Sequence, residues 1–500
     1  MSFLSASARG MQKKTALLFF MLPVVGCTMI PDYHRGKLPV SEQYPADPEG
    51  ASHSAQTDAK TIAADIGWSE FFTDPRLKAL IGIALKENRD LRVAAANISQ
   101  YAAQYDVQHA ALLPPIGATG AAMYMSPSEA GGFSFSPGQG KGISTFRYYS
   151  AGIGFSSYEI DLFGRIRSLT RSSAESALQQ VANERSMRIS IVSQVANAYL
   201  AWLGDRELLK VASDTADNQK ENLRLVRLKF DHGEENLLTL RQAEAQADQA
   251  EELRDQQLRL VAQDENNIVL LIGAPIPSDL PQPRPLGSQT ILADIPAGLP
   301  SDLLLRRPDI EAAEHDLLSA NANIGAARAA FFPKFTLTAN DGVSSLLFHQ
   351  LFTAPATTWG LQPNISIPIF TWGQNQGNLD ASKALKNAKV ATYEKTIQQA
   401  FREVSDTLVA RSTYLSQSRK MAHMVEASSD AYRLAQRRYD AGTDSWLTAL
   451  DAQRTLLQTQ QARISIDVAR YQNLVTFYRA LGGGWTEHSV AEVATPRKAG

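Results

Sequence analysis

Five carboxylates and two glycines form two similar groups in distant parts of the chain. The groups are Asp231, Glu234 and Glu235 around Gly233, and Asp440 and Asp444 around Gly442. Carboxylates that face a shared pore axis favour cations, whereas acids beside a helix start cap the helix and complement its dipole. The sequence leaves both roles open. Each glycine accepts a positive φ at low cost, which predicts a tight turn at both positions.

Cys27 is the only cysteine, and it follows a short apolar run. Two lysines precede this run of about eleven residues, which is too short to span a bilayer but typical of a secretory signal. The run ends in Val24-Val25-Gly26-Cys27, which resembles a bacterial lipobox. We therefore predict a lipoprotein signal peptide at 1–26 and a mature chain that carries S-diacylglycerol and N-palmitate on Cys27. An incidental buried cysteine is the alternative.

The residues after Cys27 predict the membrane to which the protein is delivered and an extended tether. Three acyl chains give stable membrane anchoring, because two lipid signals already suffice. Thr28, rather than aspartate, follows the cysteine, which predicts the outer membrane. Residues 27–66 are rich in Pro, Ser, Ala and charged residues without periodicity, which predicts an extended, lipid-anchored tether. Met1 and Met11 both fit as the start of translation.

The composition argues against several classes of function. The formal net charge is −2, which gives no support for nucleic-acid binding. A single cysteine excludes an intramolecular disulfide, and no Cys/His cluster suggests a metal. None of the eight histidines lies in a nucleophile motif. We expect neither enzymatic activity nor a cofactor other than the covalent lipid.

Proline spacing predicts two long helical hairpins. No proline occurs between Pro137 and Pro275, or between Pro368 and Pro496, and proline costs about 3 kcal/mol inside a helix. We predict hairpins at 164–272 and 373–481, turning at the two glycines. Apolar residues at spacings of three, four and seven predict a coiled-coil seam in the second hairpin. They are Val390, Tyr393, Ile397, Phe401, Val404, Leu408 and Leu415.

Alternating apolar and small polar residues predict four strands. Their approximate positions are 115–125, 148–161, 334–345 and 358–370. Each is long enough to cross a bilayer with tilt, although a soluble half-buried sheet explains any single one equally well. Four strands cannot close a barrel, and open edges are not tolerated in lipid. Three chains that share twelve strands are the smallest cyclic solution with a plausible lumen, so we predict a homotrimer.

The two halves of the chain match one another, which predicts a tandem repeat. Asp90 aligns with Asp309, and the apolar pairs before Pro114 and Pro333 align without a gap. Further along, Gly233 aligns with Gly442 in a register that is ten residues shorter. The resulting divisions are a first repeat at 67–273, a linker at 274–300, a second repeat at 301–482 and a disordered tail at 483–500.

Several segments resemble the outer-membrane efflux proteins, the TolC-like channel-tunnels, and within them the NodT-type lipoprotein branch of tripartite RND systems. They extend over nearly the whole mature chain in the family's order. The segments begin at Gly67-Trp68, Tyr158-Glu-Ile-Asp-Leu-Phe-Gly, Gly298-Leu-Pro-Ser-Asp, Ala329-Ala-Phe-Phe-Pro333 and Leu447-Thr-Ala-Leu.

This resemblance implies a trimeric twelve-stranded β-barrel in the outer membrane, continuing into a long α-helical coiled-coil tunnel in the periplasm. It implies passive export of small molecules such as drugs, with a periplasmic adaptor and an inner-membrane transporter as partners. The hairpin tips would then form the periplasmic aperture and the adaptor-docking surface. The alternative is a lipid-anchored coiled-coil structural protein or adhesin without a pore. The resemblance does not identify the cargo.

Overall fold

The computed structural model describes residues 28–37, 39–41, 44, 66–125, 146–289, 291 and 307–488. The predicted signal peptide, Cys27 and residues 489–500 of the predicted disordered tail lie outside the described residues. The described part of that tail, 483–488, is ordered, because Thr486 and Glu487 accept hydrogen bonds from the backbone N–H groups of Trp68 and Ser69. The described helices are α1 (Trp68–Phe71), α2 (Pro75–Glu87), α3 (Arg89–Ala110), α4 (Arg165–Asp231), α5 (Leu237–Ile272), α6 (Pro308–Ala329), α7 (Gln374–Asp440) and α8 (Trp446–Ala480). Within these ranges, no helix is both long and apolar enough to cross a membrane.

The chain divides into two compact units, and each contains segments from both halves of the sequence. The first unit comprises Met1–Arg35, Tyr101–Ala177 and Asp316–Val390, and it includes the sheet. The second comprises Gly36–Gln100, Leu178–His315 and Ala391–Gly500, and it includes both helical turns. Compact structure therefore does not follow the order of the sequence halves.

Four antiparallel strands form one sheet in the order β1-β2-β3-β4. They are β1 (Gly117–Met125), β2 (Phe146–Ile160), β3 (Lys334–Ser345) and β4 (Thr357–Ser366). The last strand ends earlier than the predicted 358–370, and Pro368 lies just beyond its end. Ser366 pairs with Lys334, the first residue of β3, so the apolar alternation continues past the point where the partner strand allows pairing.

The two longest helices, α4 and α7, have 67 residues each. In α7 the buried residues follow a heptad pattern, with alternating spacings of four and three along Tyr393, Ile397, Ala400, Val404 and Thr407. This spacing is that of a coiled-coil seam. Leu415, at the far end of the predicted seam, is 38% exposed, so the closely packed part is shorter than the apolar pattern suggests.

The same backbone conformations recur at equivalent positions of the two halves. Positive φ angles occur at Gly164 and Gly373, at Gly233 and Gly442, and at Gly273 and Gly482. The two members of each pair are equally far apart along the chain. Likewise, α3 and α6 have 22 residues each. Glycine is the residue for which positive φ carries no steric cost, so these pairs mark the same turns in both halves.

Two polar contacts join helix ends in the second unit, again at equivalent positions. Asn88, before α3, donates from Nδ2 to the Leu271 carbonyl at the end of α5, at 2.7 Å. Arg307, before α6, donates from Nη1 to the Ala480 carbonyl at the end of α8, at 2.8 Å. The last carbonyls of a helix have no partner within the helix. Each junction therefore supplies a donor where one helix ends and another begins.

The Arg307 side chain is buried and paired with two carboxylates. Its guanidinium contacts Asp309 at 2.6 Å and Glu403 at 3.0 Å, and the whole residue is 8% exposed. Burial opposes the charged form, but hydrogen bonds from Arg307 to both acids outweigh it and hold the pKa of Arg307 above its usual value. The guanidinium thus links the start of α6 to α7 and to the end of α8.

We predict that Arg307→Met destabilises the protein strongly. The change leaves Asp309 and Glu403 without their counter-ion and the Ala480 carbonyl without its donor, and breaking a buried pair typically costs about 3–5 kcal/mol. Thermal unfolding in detergent should show a markedly lower Tm. Arg224→Ala is the matched control, because its pair with Glu221 is exposed and exposed pairs contribute little. Equal Tm values for the two variants would contradict a structural role for the Arg307 cluster.

A second group of acids in this unit brings two carboxyl groups close together. Asp264 on α5 lies beside Asp205 on α4, and burial together with the Asp205 charge raises the pKa of Asp264 to about 6. Nearby, Glu265 accepts from Trp202 Nε1 at 3.2 Å. Two adjacent carboxylates resist ionising together, so one proton is held between α4 and α5 in acid solution.

We predict that this carboxyl pair makes stability fall as pH rises toward 6. The folded pKa lies above the ordinary 3.8, so the folded state binds the extra proton and its stabilisation is lost as pH passes through the folded pKa. Asp264→Asn should therefore raise Tm at pH 7.5 more than at pH 4.5. Asp248→Asn, a change of an exposed acid on the same helix, is expected to show no such pH dependence. A pH-independent effect of Asp264→Asn would overturn the explanation.

Candidate functional site

The turns that join the long helices lie at the glycines identified in the sequence. Gly233 has φ +76° between α4 and α5, and Gly442 has φ +71° between α7 and α8. The side chain of Asn236 caps α5 by accepting from Thr239 N at 2.9 Å. Ser445 caps α8 by accepting from Thr448 N at 3.4 Å. The two helix caps are thus neutral residues, which the sequence analysis missed. Their spacing of three before Thr239 and Thr448 was the available signal.

The acids of the first turn have no polar side-chain contacts with the described residues. The side chains of Asp231, Glu234 and Glu235 make no hydrogen bond or ion pair with any residue that the structure describes, and Asp231 and Glu234 are exposed. Capping does not require them, because Asn236 performs it. These three carboxylates therefore present negative charge to the surroundings of this turn.

The acids of the second turn differ from each other. Asp444 accepts from Ser445 N at 2.8 Å and from Thr448 Oγ1 at 3.0 Å, and it pairs with Arg438 at 3.2 Å. The hydrogen bond from Ser445 N, followed by those from Thr448 and Arg438, lowers the pKa of Asp444. Among the residues that the structure describes, the Asp440 side chain accepts from Gln436 Nε2 alone, at 3.1 Å. Asp444 thus stabilises the turn through several polar contacts, whereas Asp440 makes fewer contacts.

A contact between the two hairpins lies next to these turns. Lys229 Nζ on α4 lies 5.4 Å from the ring centre of Tyr439 on α7. Tyr439 in turn contacts Trp446 at the start of α8, with ring centres 5.1 Å apart. A cation over an aromatic face is worth about 0.5–1 kcal/mol at exposed sites. This modest contact connects the tips, and no feature of the sequence alone indicated the pairing.

Exposed leucines recur at equivalent positions near both turns. Leu225 and Leu434 are 45% and 56% exposed, and Leu238 and Leu447 are 68% and 56% exposed. Exposed apolar groups that recur in the same arrangement are typical of a contact surface. Both tips therefore offer the same kind of apolar surface beside their acids.

One face of the sheet is mainly apolar, although Asp341 lies on it, and the other face is mainly small and polar. Side chains alternate between faces along a strand. Ile153, Asp341 and Trp359 are paired across three strands, as are Phe155, Ala339 and Leu361. Ile153, Trp359 and Leu361 are largely exposed. The opposite face bears small and polar residues, namely Gly152, Gly342, Thr358, Asn340, Gly360, Thr336 and Asn364.

An ion cluster lies where the polar face meets the start of α4. Glu159 accepts from Arg165 Nε at 2.8 Å and from Nη2 at 2.7 Å, and it contacts Lys334 Nζ at 3.0 Å. Asp161 accepts from the Arg167 backbone N–H at 2.8 Å. The charged residues of the Tyr158–Arg167 segment therefore order the passage from strand to helix. In the described ranges no group of His, Cys, Asp and Glu side chains could hold a metal ion.

Solved structures share this arrangement of strands and long helical hairpins. The open-state MtrE outer membrane channel of Neisseria gonorrhoeae is similar, with a TM-score of 0.83 and 36% identity over 93% of this chain and 100% of that chain. The CusC structure, a transmembrane channel, is similar with a TM-score of 0.80 and 33% identity over 92% of this chain. The fold is that of the outer-membrane channels.

The sequence comparisons identify the family. The model of the outer membrane efflux protein family matches residues 80–274 and 299–483. A probable efflux pump outer membrane protein, TtgC of Pseudomonas putida, is 46% identical over 94% of this chain and 96% of its own length. The outer membrane protein OprJ of Pseudomonas aeruginosa is 36% identical over 94% of this chain. The chain belongs to the outer membrane efflux protein family, which is a family of transport proteins rather than enzymes.

We predict that Asp444 and Asp231 contribute differently to the order of the turns. Asp444→Ala removes the acceptor for Ser445, Thr448 and Arg438, so the second turn should be cleaved faster by a protease in limiting amount. Asp231→Ala removes a side chain that has no polar partner among the described residues and should leave cleavage unchanged. The readout is the rate of nicking followed by mass spectrometry. Equal rates for both variants and the parent protein would show that the Asp444 contacts do not hold the turn.

Proposed function

We propose that this chain is one protomer of a trimeric export channel with a shared twelve-stranded barrel in the outer membrane. The observation that carries this proposal is the sheet. In the part of the chain that the structure describes, β1 and β4 each pair on one side only. Unpaired backbone groups at a sheet edge are very costly in lipid. Pairing between β1 of one chain and β4 of the next removes every edge once the ring closes.

The two faces of the sheet support a barrel of this kind. Exposed apolar side chains such as Ile153, Trp359 and Leu361 suit contact with lipid, whereas the small polar residues of the other face suit a hydrated lumen. Twelve strands leave more interior space than the eight that side chains can fill. Small molecules would pass through this lumen and through a tunnel made by the long helices, without any energy supplied by the channel itself.

The proposed origin of the chain is a tandem duplication. The recurring positive-φ glycines, the matched helix lengths and the equivalent junctions of Asn88 and Arg307 support it. So does the match of the family model to two segments of similar length. Two repeats with two strands each supply four strands per chain, and three chains complete the barrel.

The proposed partners are a periplasmic adaptor and an inner-membrane transporter. The names of the relatives, efflux pump outer membrane proteins, support membership of a multi-component pump. The repeated exposed leucines at both hairpin tips suit the docking of one kind of adaptor segment at equivalent places. We propose that the same tips close the aperture, with Asp231, Glu234, Glu235 and Asp440 facing the axis and Lys229 over Tyr439 holding the tips together.

The proposed location is the outer membrane, with lipid attachment at Cys27. Outer-membrane location follows from the family, whereas the N-palmitoyl and S-diacylglycerol groups rest on the lipobox-like sequence. For the cargo we propose small organic compounds. Relatives at 46% and 41% identity are named as antibiotic and solvent efflux pump proteins, and the polar face of the sheet contains no dedicated binding cluster.

We predict that the purified chain forms particles of three copies and conducts ions. Light scattering in detergent should give three chains per particle, because only a closed ring satisfies the sheet edges. In planar bilayers the particle should conduct, and joint replacement of Asp231, Glu234 and Glu235 by alanine should weaken its cation preference.

A stable folded monomer would contradict the shared barrel. A trimer that never conducts would favour a coiled-coil spacer instead. An unchanged cation preference in the triple variant would remove these acids from the aperture while leaving the channel itself in place.

A further inference from the structure

Two tyrosines and an arginine lie together where β1 ends and β2 begins, at the end of the sheet away from α4. Tyr124 is paired with Arg147 across the two strands, and the side chains of directly paired residues are neighbours on one face. Tyr149 is two residues after Arg147 and therefore lies on the same face. Its hydroxyl donates to the Tyr124 hydroxyl at 2.9 Å, and the ring centres are 5.8 Å apart. We call these three residues the arginine–tyrosine cluster.

The cluster lies on the mainly apolar face of the sheet. Arg147 and Ile153 are six residues apart on β2, in a stretch of continuous pairing with β1, so both belong to the same face. Arg147 is exposed, and it is the only charged residue at 117–125 and 146–155. The acid on this face, Asp341, is paired with Ile153, about 20 Å along the strand from Arg147. Within the described sheet, the Arg147 charge therefore has no counter-ion close by.

The cluster offers hydrogen-bond donors to its surroundings. The guanidinium of Arg147 has five N–H donors in a planar fork that fits a phosphate or carboxylate. Because Tyr149 donates to Tyr124, the Tyr124 O–H remains able to donate to a ligand. Tyr124 is 64% exposed, and so is the neighbouring ring of Phe348, at 65%, whose centre lies 5.4 Å from that of Tyr149. Aromatic rings with a polar end suit a ligand that is partly apolar and partly hydrated.

Two aromatic levels on the chain define where the bilayer meets the sheet in the proposed barrel. Trp359 is 78% exposed and is paired with Asp341. Phe332 is 40% exposed and lies nine residues before Asp341. At about 3.4 Å per residue and a tilt of about 40°, the two levels are about 23 Å apart in height. This agrees with the apolar band of about 25 Å, flanked by aromatic residues, that is typical of outer-membrane barrels.

Arg147 lies beyond this band, on the side of Trp359. It is six residues from Ile153, which is in the same row as Asp341 and Trp359, so its height above that row is about 15 Å. The headgroups of ordinary phospholipids extend only about 5–8 Å beyond the hydrocarbon. An anionic group at the height of Arg147 therefore belongs to a larger headgroup, such as one built from phosphorylated sugars.

We propose that the arginine–tyrosine cluster binds a phosphate of a saccharide-headed lipid in the outer leaflet. Arg147 holds the phosphate, and Tyr124 and Tyr149 contact the sugar that carries it. This rests on the proposed barrel, which turns the apolar face toward lipid and this end of the sheet toward the outside. The bound lipid then supports the end of the β1–β2 pair from the lipid side.

Binding of a rough lipopolysaccharide, which carries phosphates on its lipid A and inner-core sugars, tests the cluster. The lipid is titrated into the full chain in detergent, and complexes are counted by native mass spectrometry. A chelator is present so that no divalent cation bridges lipid and protein. Arg147→Gln removes the charge but keeps most of the side chain. Arg402→Gln is the matched control, because the Arg402 side chain is 71% exposed and lies on α7, outside the sheet.

Arg147→Gln should bind the lipopolysaccharide about tenfold more weakly than the parent, because a hydrogen bond to a charged group is lost. Arg402→Gln should bind it like the parent. After enzymatic removal of the phosphates, the parent and Arg147→Gln should bind the lipopolysaccharide equally. Phosphatidylglycerol carries its phosphate at ordinary headgroup height, so it should not distinguish these two proteins either.

Equal binding of the intact lipopolysaccharide by the parent and Arg147→Gln would overturn the site. An equal loss of phosphatidylglycerol binding in Arg147→Gln would overturn the saccharide-headed ligand, because the phosphate would then lie at ordinary headgroup height. Light scattering and bilayer conductance of the same samples separate this failure from that of the barrel. A parent that is neither trimeric nor conducting would overturn the barrel and the cluster together, whereas a conducting trimer with unchanged binding in Arg147→Gln would overturn the cluster alone.

Discussion

The structure depends on satisfying the backbone groups where the helices α5 and α8 end. The carbonyls that close α5 and α8 have no partner in their own helices, and they receive donors from Asn88 and Arg307. In the first half an amide is sufficient. In the second half a guanidinium is used, and because it is buried it also needs Asp309 and Glu403 to balance its charge. At equivalent positions, the helix-end carbonyl thus receives an amide donor in one half and a guanidinium donor in the other.

The edges of the sheet also have backbone groups that need hydrogen-bond partners. Its inner strands β2 and β3 are paired on both sides, whereas β1 and β4 are paired on one. The apolar face is exposed at Ile153, Trp359 and Leu361. A single chain therefore leaves both hydrogen-bonding groups and apolar area unsatisfied. In the proposed trimer, additional chains would pair with β1 and β4, and lipid would cover the apolar face.

The hairpin turns combine firmly held local geometry with one weak contact between the two tips. Their geometry is set by glycines with positive φ and by the caps of Asn236 and Ser445. Asp444 adds further contacts to the second turn. By contrast, the contact of Lys229 with Tyr439 is exposed and modest, so it can break at small cost. In the proposed aperture, stable turns joined by a weak contact would allow the tips to separate while each turn keeps its shape.

Much of the fold could be predicted from local sequence features. Absence of proline determined the extent of the long helices, paired glycines determined their turns, and period-two alternation determined four strands, because each feature acts through its own backbone. The end of β4 at Ser366 was missed because apolar alternation continues beyond Lys334, where the partner strand β3 begins. The caps were also missed, because only the charged acids, and not the neutral residues Asn236 and Ser445, were considered as capping residues.

Some features of the candidate sites could likewise be predicted from the sequence, and others could not. The sequence by itself determined the family through ordered motifs, and it placed acids at both turns. Only the tertiary structure decided that Asp444 is bound within its turn, that Lys229 meets Tyr439, and that Arg307 reaches Glu403 and the Ala480 carbonyl. The physical reason is that these contacts join residues far apart in sequence, and such pairs leave no local pattern in the chain.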